Sequence, residues 1–179
     1  MMNILKSTIA LAAVSAAILS AGVASANPYQ VEVEQRGMNS SYVGAGVAAG
    51  VTNGGQTGDA ANLGGNLQGR FAVPNAPVSV RGAVLYSGET SAIMPMVSYD
   101  VPITNRANVY VGGGYSFVED NGEPTPMGNE DAPLVVVGGE ANFGDVVVYG
   151  DGKWGINAYR DSQADSFTMQ AGVGYRFPQ

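Results

Sequence analysis

The chain is 179 residues long, the length of one domain, and its formal net charge is −7. It contains no Cys and no His, which excludes a disulfide framework, a thiolate nucleophile and a Ser-His-Asp triad, and removes the commonest metal ligand and general base. The excess of acidic residues argues against a nucleic-acid partner, because contacts to phosphates need clustered Lys and Arg.

Residues 1–26 have the features of a secretory signal peptide. A short start carrying Lys6 precedes an apolar stretch of small residues over 7–23, and Ala24-Ser25-Ala26 offers the small side chains that signal peptidase requires. We therefore expect Sec-dependent export and cleavage after Ala26. The alternative is an uncleaved membrane anchor, which the high Ala and Ser content and the lack of a basic stop disfavour.

Residues 27–40 are predicted to be a periplasmic N-terminal lead. Val31 and Val33 alternate with Glu32 and Glu34, as in a short strand. An ordered lead or a flexible tail is the preferred interpretation, because terminal segments stay loose unless something ties them down.

Residues 41–179 are predicted to form one all-β domain, an eight-stranded antiparallel up-and-down transmembrane β-barrel. Its apolar residues alternate with period two, and no apolar run is long enough for a transmembrane helix. Most predicted strands approach the ~9–11 residues that a tilted strand needs to cross a bilayer. Pro95 lies inside the fourth strand, where we expect a bulge or a late strand start. The strands are predicted over 41–51, 63–73, 78–86, 93–101, 108–117, 134–143, 146–156 and 167–177.

The predicted connections alternate in length along the chain. Long loops over 52–62, 118–133 and 157–166 fall at one end, and short turns such as 74–77 and 144–145 fall at the other. This pattern is typical of outer-membrane barrels, and an even number of strands puts both chain ends on the periplasmic, short-turn side.

Alternation alone does not distinguish a membrane barrel, apolar outside, from a soluble barrel, apolar inside. The positions of the aromatic residues help to distinguish the two, because these residues form one group at each end of the apolar face with an aliphatic band between them. Two such girdles suit the two interfaces of a membrane, whereas a soluble core would concentrate its rings at its centre. The short-turn girdle contains Phe71, Tyr99, Phe143, Tyr175 and Phe177, and the long-loop girdle contains Tyr86, Tyr115, Phe117, Trp154 and Phe167.

Four segments resemble the small outer-membrane barrels of the OmpA/OmpX and opacity-protein type. They are Tyr42-Val43-Gly44-Ala45-Gly46-Val47, Val101-Pro102-Ile103-Thr104-Asn105-Arg106, Tyr110-Val111-Gly112-Gly113-Gly114-Tyr115-Ser116-Phe117 and Ala171-Gly172-Val173-Gly174-Tyr175-Arg176-Phe177. The resemblance covers about residues 41–177 and implies outer-membrane lipids and the barrel-assembly machinery as partners. Such barrels usually end on an aromatic residue, whereas here Pro178-Gln179 follows Phe177.

Charged residues on the polar face are predicted to form a network that fills the lumen. An eight-stranded barrel is just wide enough for side chains to fill. We expect Arg70 to pair with Glu140, Arg81 with Asp151, and Asp100 with Arg176, leaving Lys153 near Asp151. Glu140 is expected to reach between Arg70 and Arg81, which face each other across a hairpin, and small inward glycines such as Gly44, Gly112 and Gly172 are expected to make room for the cations. The predicted network comprises Arg70, Arg81, Asp100, Glu140, Asp151, Lys153 and Arg176.

Other candidate chemistry has a simpler interpretation. Glu140 and Asp151 could act as paired carboxylates, but the accompanying cations favour a structural role. The acids of loop 118–133, which are Glu119, Asp120, Glu123, Glu130 and Asp131, could hold a divalent cation. They lack a fixed ligand spacing, and Pro124 and Pro126 interrupt them, so a solvated loop is preferred. Gly112-Gly113-Gly114 lies in a strand pattern with no following helix and is not a phosphate loop.

These observations predict a monomeric, non-enzymatic outer-membrane protein without a cofactor. Its barrel would be a structural platform, and its long loops would contact a partner outside the cell that the sequence does not identify. The alternative is a narrow porin-like channel for ions or small solutes. A soluble ligand-binding barrel is a third interpretation.

Overall fold

The computed structural model describes residues 37–54, 62–88 and 90–177. The predicted signal peptide, most of the predicted lead and the tip of the first long loop lie outside these ranges. Over the described residues the strands are β1 (Ser41–Gly50), β2 (Leu63–Ala72), β3 (Val78–Tyr86), β4 (Ser91–Thr104), β5 (Ala107–Val118), β6 (Ala132–Phe143), β7 (Val146–Gly155) and β8 (Ser166–Phe177).

The strands form one closed barrel in chain order. Each strand pairs antiparallel with the next, and β1 closes the ring on β8 in a continuous register that runs from Ser41↔Phe177 to Gly50↔Thr168. Closure removes the sheet edges that would otherwise expose unpaired backbone groups. Within the described ranges, no helix is long and apolar enough to cross a membrane. The predicted all-β, eight-stranded fold is therefore confirmed.

The two ends of the barrel differ as predicted. The connections 105–106 and 144–145 are two-residue turns, and 73–77 is short, whereas 51–62, 119–131 and 156–165 are long loops at the other end. The first and last strands begin and end on the short-turn side. We call this side the periplasmic end and the long-loop side the external end.

Along each strand, successive side chains point alternately to the outer surface of the barrel and into its buried lumen. Val47, Val111, Val137 and Val173 are exposed on the outside, whereas polar residues such as Gln68 are buried inside. The apolar face therefore points outward, the arrangement of a barrel that spans a membrane. The exposed aromatic residues of the two girdles are Phe71, Tyr99, Phe143, Tyr175 and Phe177 at the periplasmic end, and Tyr86, Tyr115 and Trp154 at the external end.

Pro95 does not produce the expected bulge or late start. β4 begins at Ser91 and runs through Pro95, which keeps its partner Gly82 on β3. On the other side the ladder passes from Ile93↔Phe117 to Met96↔Gly114 without a change of register. A missing N–H interrupts a ladder but requires no extra residue, so the strand continues. The register shift of β4 lies between Pro102 and Thr104 instead.

Candidate functional site: the barrel lumen

Two buried arginines are the centre of the polar half of the lumen. Arg70 on β2 and Arg81 on β3 are cross-strand partners, and their side chains are only 2% and 1% exposed. Two like charges at such a position repel each other unless an anion joins them. Glu140 on β6 does so, since its carboxylate lies 3.1 Å from Arg70 Nε and 2.9 Å from Arg81 Nη1. The structure thus brings these three residues together as the sequence predicted.

Asp100 on β4 is the second anion of this centre. Its carboxylate accepts hydrogen bonds from Arg70 Nη2 at 2.8 Å and Arg81 Nη2 at 3.0 Å, and from the Ser79 and Ser98 hydroxyls. The predicted pairing of Asp100 with Arg176 across the lumen is therefore not the one adopted. β4 pairs with β3, so Asp100 reaches the arginines over a neighbouring strand rather than across the barrel.

Asp151 on β7 belongs to a different part of the network from the one predicted. The salt bridges of Arg81 are to Asp100 and Glu140 instead, and Arg81 Cζ lies 3.5 Å from the ring centroid of Tyr110, a cation–π contact. Tyr110 Oη donates to Asp151 Oδ2 at 2.7 Å. Lys153, as expected, forms an ion pair with Asp151.

Neutral side chains connect the two groups of charges. Gln170 Nε2 donates to Asp151 Oδ2 at 2.8 Å and also to Gln68, whose Nε2 donates to Tyr42 Oη at 2.9 Å. Tyr42 Oη then donates to Glu140 Oε2 at 3.0 Å. One continuous hydrogen-bonded network therefore runs from Lys153 to the arginine centre.

Three inward tyrosines were missed as lumen residues in the sequence analysis. Tyr42, Tyr110 and Tyr149 are all buried, and Tyr42 stacks on Tyr149 with ring centroids 5.7 Å apart. Their sequence parity, opposite to that of neighbours such as Val43 and Val111, was a signal that could have identified them. A Cβ on Gly172 would lie 2.4 Å from Tyr149 Oη, so this inward glycine makes room for a tyrosine rather than for the predicted cations.

Arg176 lies apart from the network at the periplasmic mouth. Its Nη2 is 3.5 Å from Asp145 Oδ1 in the β6–β7 turn, and the two side chains are 35% and 68% exposed. Inside the barrel, Arg70, Arg81 and Lys153 are then matched by Asp100, Glu140 and Asp151, three positive charges against three negative ones. This balance allows burial of the charges, because each has an opposite partner and hydrogen bonds.

The external part of the lumen is apolar along β3 to β6, whereas the buried polar residues Lys153 and Thr168 face it from β7 and β8. Leu85, Met94, Val118 and Leu134 are each at most 2% exposed and form one cluster that extends toward Tyr110. These residues come from the external ends of β3, β4, β5 and β6. Side chains of this kind, packed without polar partners, exclude water in the same way as the core of a soluble protein.

Loop 119–131 closes the external mouth above this cluster. A tight turn, in which Thr125 and Gly128 exchange backbone hydrogen bonds of 2.9 and 3.1 Å, directs Met127 down into the cluster. Across the mouth on β8, the Thr168 hydroxyl bonds Pro126 O and lies 3.5 Å from Met127 Sδ. This loop was predicted to be solvated, but its buried Met127 makes it a cap.

The other external loops are joined to the cap. Asn129 N donates to Ala158 O at 3.0 Å, Arg160 N donates to Asn129 Oδ1 at 2.8 Å, and Ser87 Oγ donates to Pro124 O at 2.8 Å. The described loop segments therefore form one connected surface.

Two titratable loop residues also have defined hydrogen-bond partners in the external loops. Tyr159 bonds Thr52 in the first loop, and burial raises the pKa of the Tyr159 phenol. Asp165 accepts from Asn157 N at 3.0 Å and from Trp154 Nε1 at 2.9 Å, and these bonds, first that from Asn157, lower the pKa of its carboxyl.

The acids of loop 118–133 are not gathered around one point. Glu119 accepts a hydrogen bond from Ser91 Oγ at 2.9 Å, whereas Asp131 accepts one from Val118 N at 2.8 Å. Over the described part of the chain, no group of three or more Asp, Glu, His or Cys side chains is placed to hold a metal ion. These two carboxylates support the backbone and the strand ends of the cap.

Comparison with solved structures shows the same barrel in outer-membrane proteins. The N-terminal β-barrel domain of Pseudomonas aeruginosa OprF has a TM-score of 0.53 and 12% identity, covering 78% of this chain and 98% of that one. Neisserial surface protein A gives 0.52 and 16%, covering 76% and 97%. The Yersinia pestis outer membrane protein Ail gives 0.50 and 17%, covering 78% and 99%.

These likenesses show that the chain has the fold of the small outer-membrane barrels, which confirms at the level of fold the resemblance seen in the sequence. No family model matches the sequence, and no curated protein matches it either.

Proposed function

We propose that this protein is an integral outer-membrane barrel without catalytic activity, a structural platform whose external loops make contacts outside the cell. The fold, the outward apolar face and the two aromatic girdles support a place in the outer membrane. The signal peptide predicted over residues 1–26 supports export to it.

The observation that carries the platform role is the filled lumen. The balanced network around Arg70 and Arg81 occupies its periplasmic part, and the apolar cluster beneath Met127 fills its external part on the side of β3 to β6. A solute passing through would have to break ion pairs and then cross a water-excluding layer. What remains available for interaction is the connected surface of the external loops, which the cap holds in one arrangement.

Single-channel recording of the refolded full-length protein in planar lipid bilayers tests this proposal. We expect no steady conductance, because both halves of the lumen are closed. A matched variant, Met127→Ala, opens only the cap and should also stay closed, since the charged network remains beneath it. A steady, large conductance of the unmodified protein would support the narrow channel and contradict the platform.

Cell fractionation tests the location. The mature protein should be recovered with the outer membrane, and its apparent mass on gels should differ between unheated and boiled samples, because closed barrels resist detergent unfolding. Recovery in the soluble periplasmic fraction would contradict a membrane barrel and favour the soluble alternative.

A further inference from the structure

The residues immediately before β1 remain in contact with the barrel. The segment Gly37–Ser40 (the latch) lies across the periplasmic mouth, and the Met38 side chain is only 3% exposed. It packs in one buried cluster with Tyr42, Val147 and Tyr149, all on the lumen side of the mouth. A side chain that precedes the barrel thus completes its periplasmic core.

The mouth binds the backbone of this segment through two side chains. Asn108 Oδ1 accepts from Met38 N at 2.9 Å, and Asn108 Nδ2 donates to Met38 O at 2.8 Å, so one amide satisfies both backbone groups of one residue. Arg70 Nη1 donates to Met38 O and to Ser40 O, each at 2.9 Å. Together these contacts recognise an extended backbone at one defined position.

Gly37 shows that the fit is tight. Its φ of +97° belongs to the region that favours glycine, and a Cβ there would lie 2.4 Å from Asn108 Oδ1 and 2.7 Å from Pro102 Cβ. Any other residue would both strain the backbone and push the segment off the amide that holds it.

We propose that the latch is an intramolecular ligand of the periplasmic mouth, which it closes, and that Asn108 and Arg70 are the residues that bind it. Arg70 also holds Asp100 and Glu140, so the latch is connected directly to the lumen network. This inference does not depend on what the external loops contact.

Release of the latch has a defined consequence. Met38 would vacate the mouth, and Arg70 Nη1 would lose both carbonyl acceptors, so water would reach the serines around Asp100 from the periplasmic side. The external apolar cluster would stay closed, so the barrel would become accessible from one end without conducting.

A cysteine reporter tests this, since the chain contains no Cys of its own. Ser98→Cys places a thiol beside Asp100, and its labelling by a charged maleimide is followed in the refolded full-length protein. Adding Gly37→Ala should label the reporter roughly tenfold faster, the factor for an opening equilibrium shifted by about 1.4 kcal/mol. The matched control is Gly144→Ala in the β6–β7 turn, where φ is +64° but no atom lies within 4 Å of the added Cβ. It should leave the rate unchanged.

A second reporter and a second variant close the test. Ser116→Cys, buried in β5 toward the external end, should label at the same rate with and without Gly37→Ala. Should Gly37→Ala not fold, as judged by heat-dependent gel mobility, Met38→Ala removes the side chain without straining the backbone and should also accelerate Ser98→Cys. Folded latch variants that label this reporter no faster than the Gly144→Ala control would overturn the proposal, as would equal acceleration of both reporters.

Discussion

The lumen is filled by opposite means at the arginine centre of its periplasmic half and at the apolar cluster of its external half. In the periplasmic half, Arg81 is held by Glu140, Asp100 and the ring of Tyr110, so each group depends on particular partners. In the external half, Leu85 and its neighbours depend only on being apolar and of the right size. The first half is specified by pairing, because an unpaired buried charge is strongly unfavourable. The second is specified by volume, which tolerates exchange among similar side chains.

The two halves also contribute differently to the stability and the geometry of the barrel. A network of ion pairs adds little net stability compared with apolar packing, because desolvation offsets much of the attraction. It does, however, set one arrangement of the residues around Arg70, to which the latch is joined. We therefore expect the polar half to determine geometry and the external half, with its cap, to keep water out.

The largest effect is expected where a substitution leaves a buried charge without its partner. Glu140→Ala leaves Arg70 and Arg81 facing each other and should lower the free energy of unfolding by about 3–5 kcal/mol, measured by urea titration in lipid vesicles. Adding Arg81→Met should recover part of the loss. Glu123→Ala, an exposed acid of the cap, is the control and should change stability by about 0.5 kcal/mol or less. A loss at Glu140 that the second change leaves untouched would contradict the pairing.

A change of volume should matter in the external half. Leu85→Ala should cost about 2–5 kcal/mol in the same titration, because a fully buried side chain leaves a cavity. Leu85→Met keeps the volume and should cost less than about 1.5 kcal/mol. If the two replacements cost the same, the cluster is not specified by volume, and the contrast between the halves fails.

On the outer face, introducing a charged side chain should lower the stability of the barrel. Val111→Arg or Val137→Arg, each near the middle of an exposed aliphatic band, should cost about 2–4 kcal/mol in vesicles. Gln163→Arg, exposed in loop 156–165, should have little effect. Equal, small losses at all three positions would mean that these valines do not face lipid.

The ion pair at the mouth should be far weaker than those inside. Arg176→Gln removes the contact with Asp145, but the two side chains are 35% and 68% exposed, and solvent-accessible pairs contribute about 0–1 kcal/mol. Its effect in the urea titration should also shrink at high salt, whereas the effect of Glu140→Ala should not. A loss as large as that at Glu140 would place Arg176 in the buried network after all.

The smallest effect concerns pH at the external rim. Hydrogen bonds from Asn157 N and Trp154 Nε1 lower the pKa of Asp165 in the folded barrel. Its contribution to stability is therefore present above the pKa of the unfolded chain and is lost as pH falls through the lower folded value. The fluorescence of Trp154, the chain's one Trp, should report this step at a pH below the ordinary range of Asp. Asp165→Asn should abolish it, and a step that persists in this variant would assign the titration to another group.

Much of the fold could be predicted from local pattern. Period-two alternation identifies which residues share a face, and turn residues such as Gly144-Asp145 mark where strands reverse, so the strand number followed. The two aromatic girdles then indicated which face points outward. The position of Glu140 between Arg70 and Arg81 was also predictable, because the hairpin sets the cross-strand pair and two adjacent cations need an anion.

Partner choice within the lumen could not be predicted in the same way. Arg81 packs on the ring of Tyr110, whose hydroxyl binds Asp151, and Asp100 pairs with Arg70 and Arg81 rather than with Arg176. Partners across a lumen depend on strand tilt and stagger, which the sequence pattern does not set. The inward orientation of the tyrosines could be read from their positions along each strand. Their packing against inward glycines, however, depends on which strands lie beside each other.

By itself, then, the sequence determined the barrel, its faces, its two ends and the need for charge balance inside, because each of these follows from residues close together along the chain. Tertiary structure decided the actual ion pairs, the continuation of β4 through Pro95, the descent of Met127 into the external mouth and the insertion of Met38 into the periplasmic one. These features depend on contacts between distant segments, such as Met38 with Asn108, whose energies exist only once the ring has closed and set the heights of its strands.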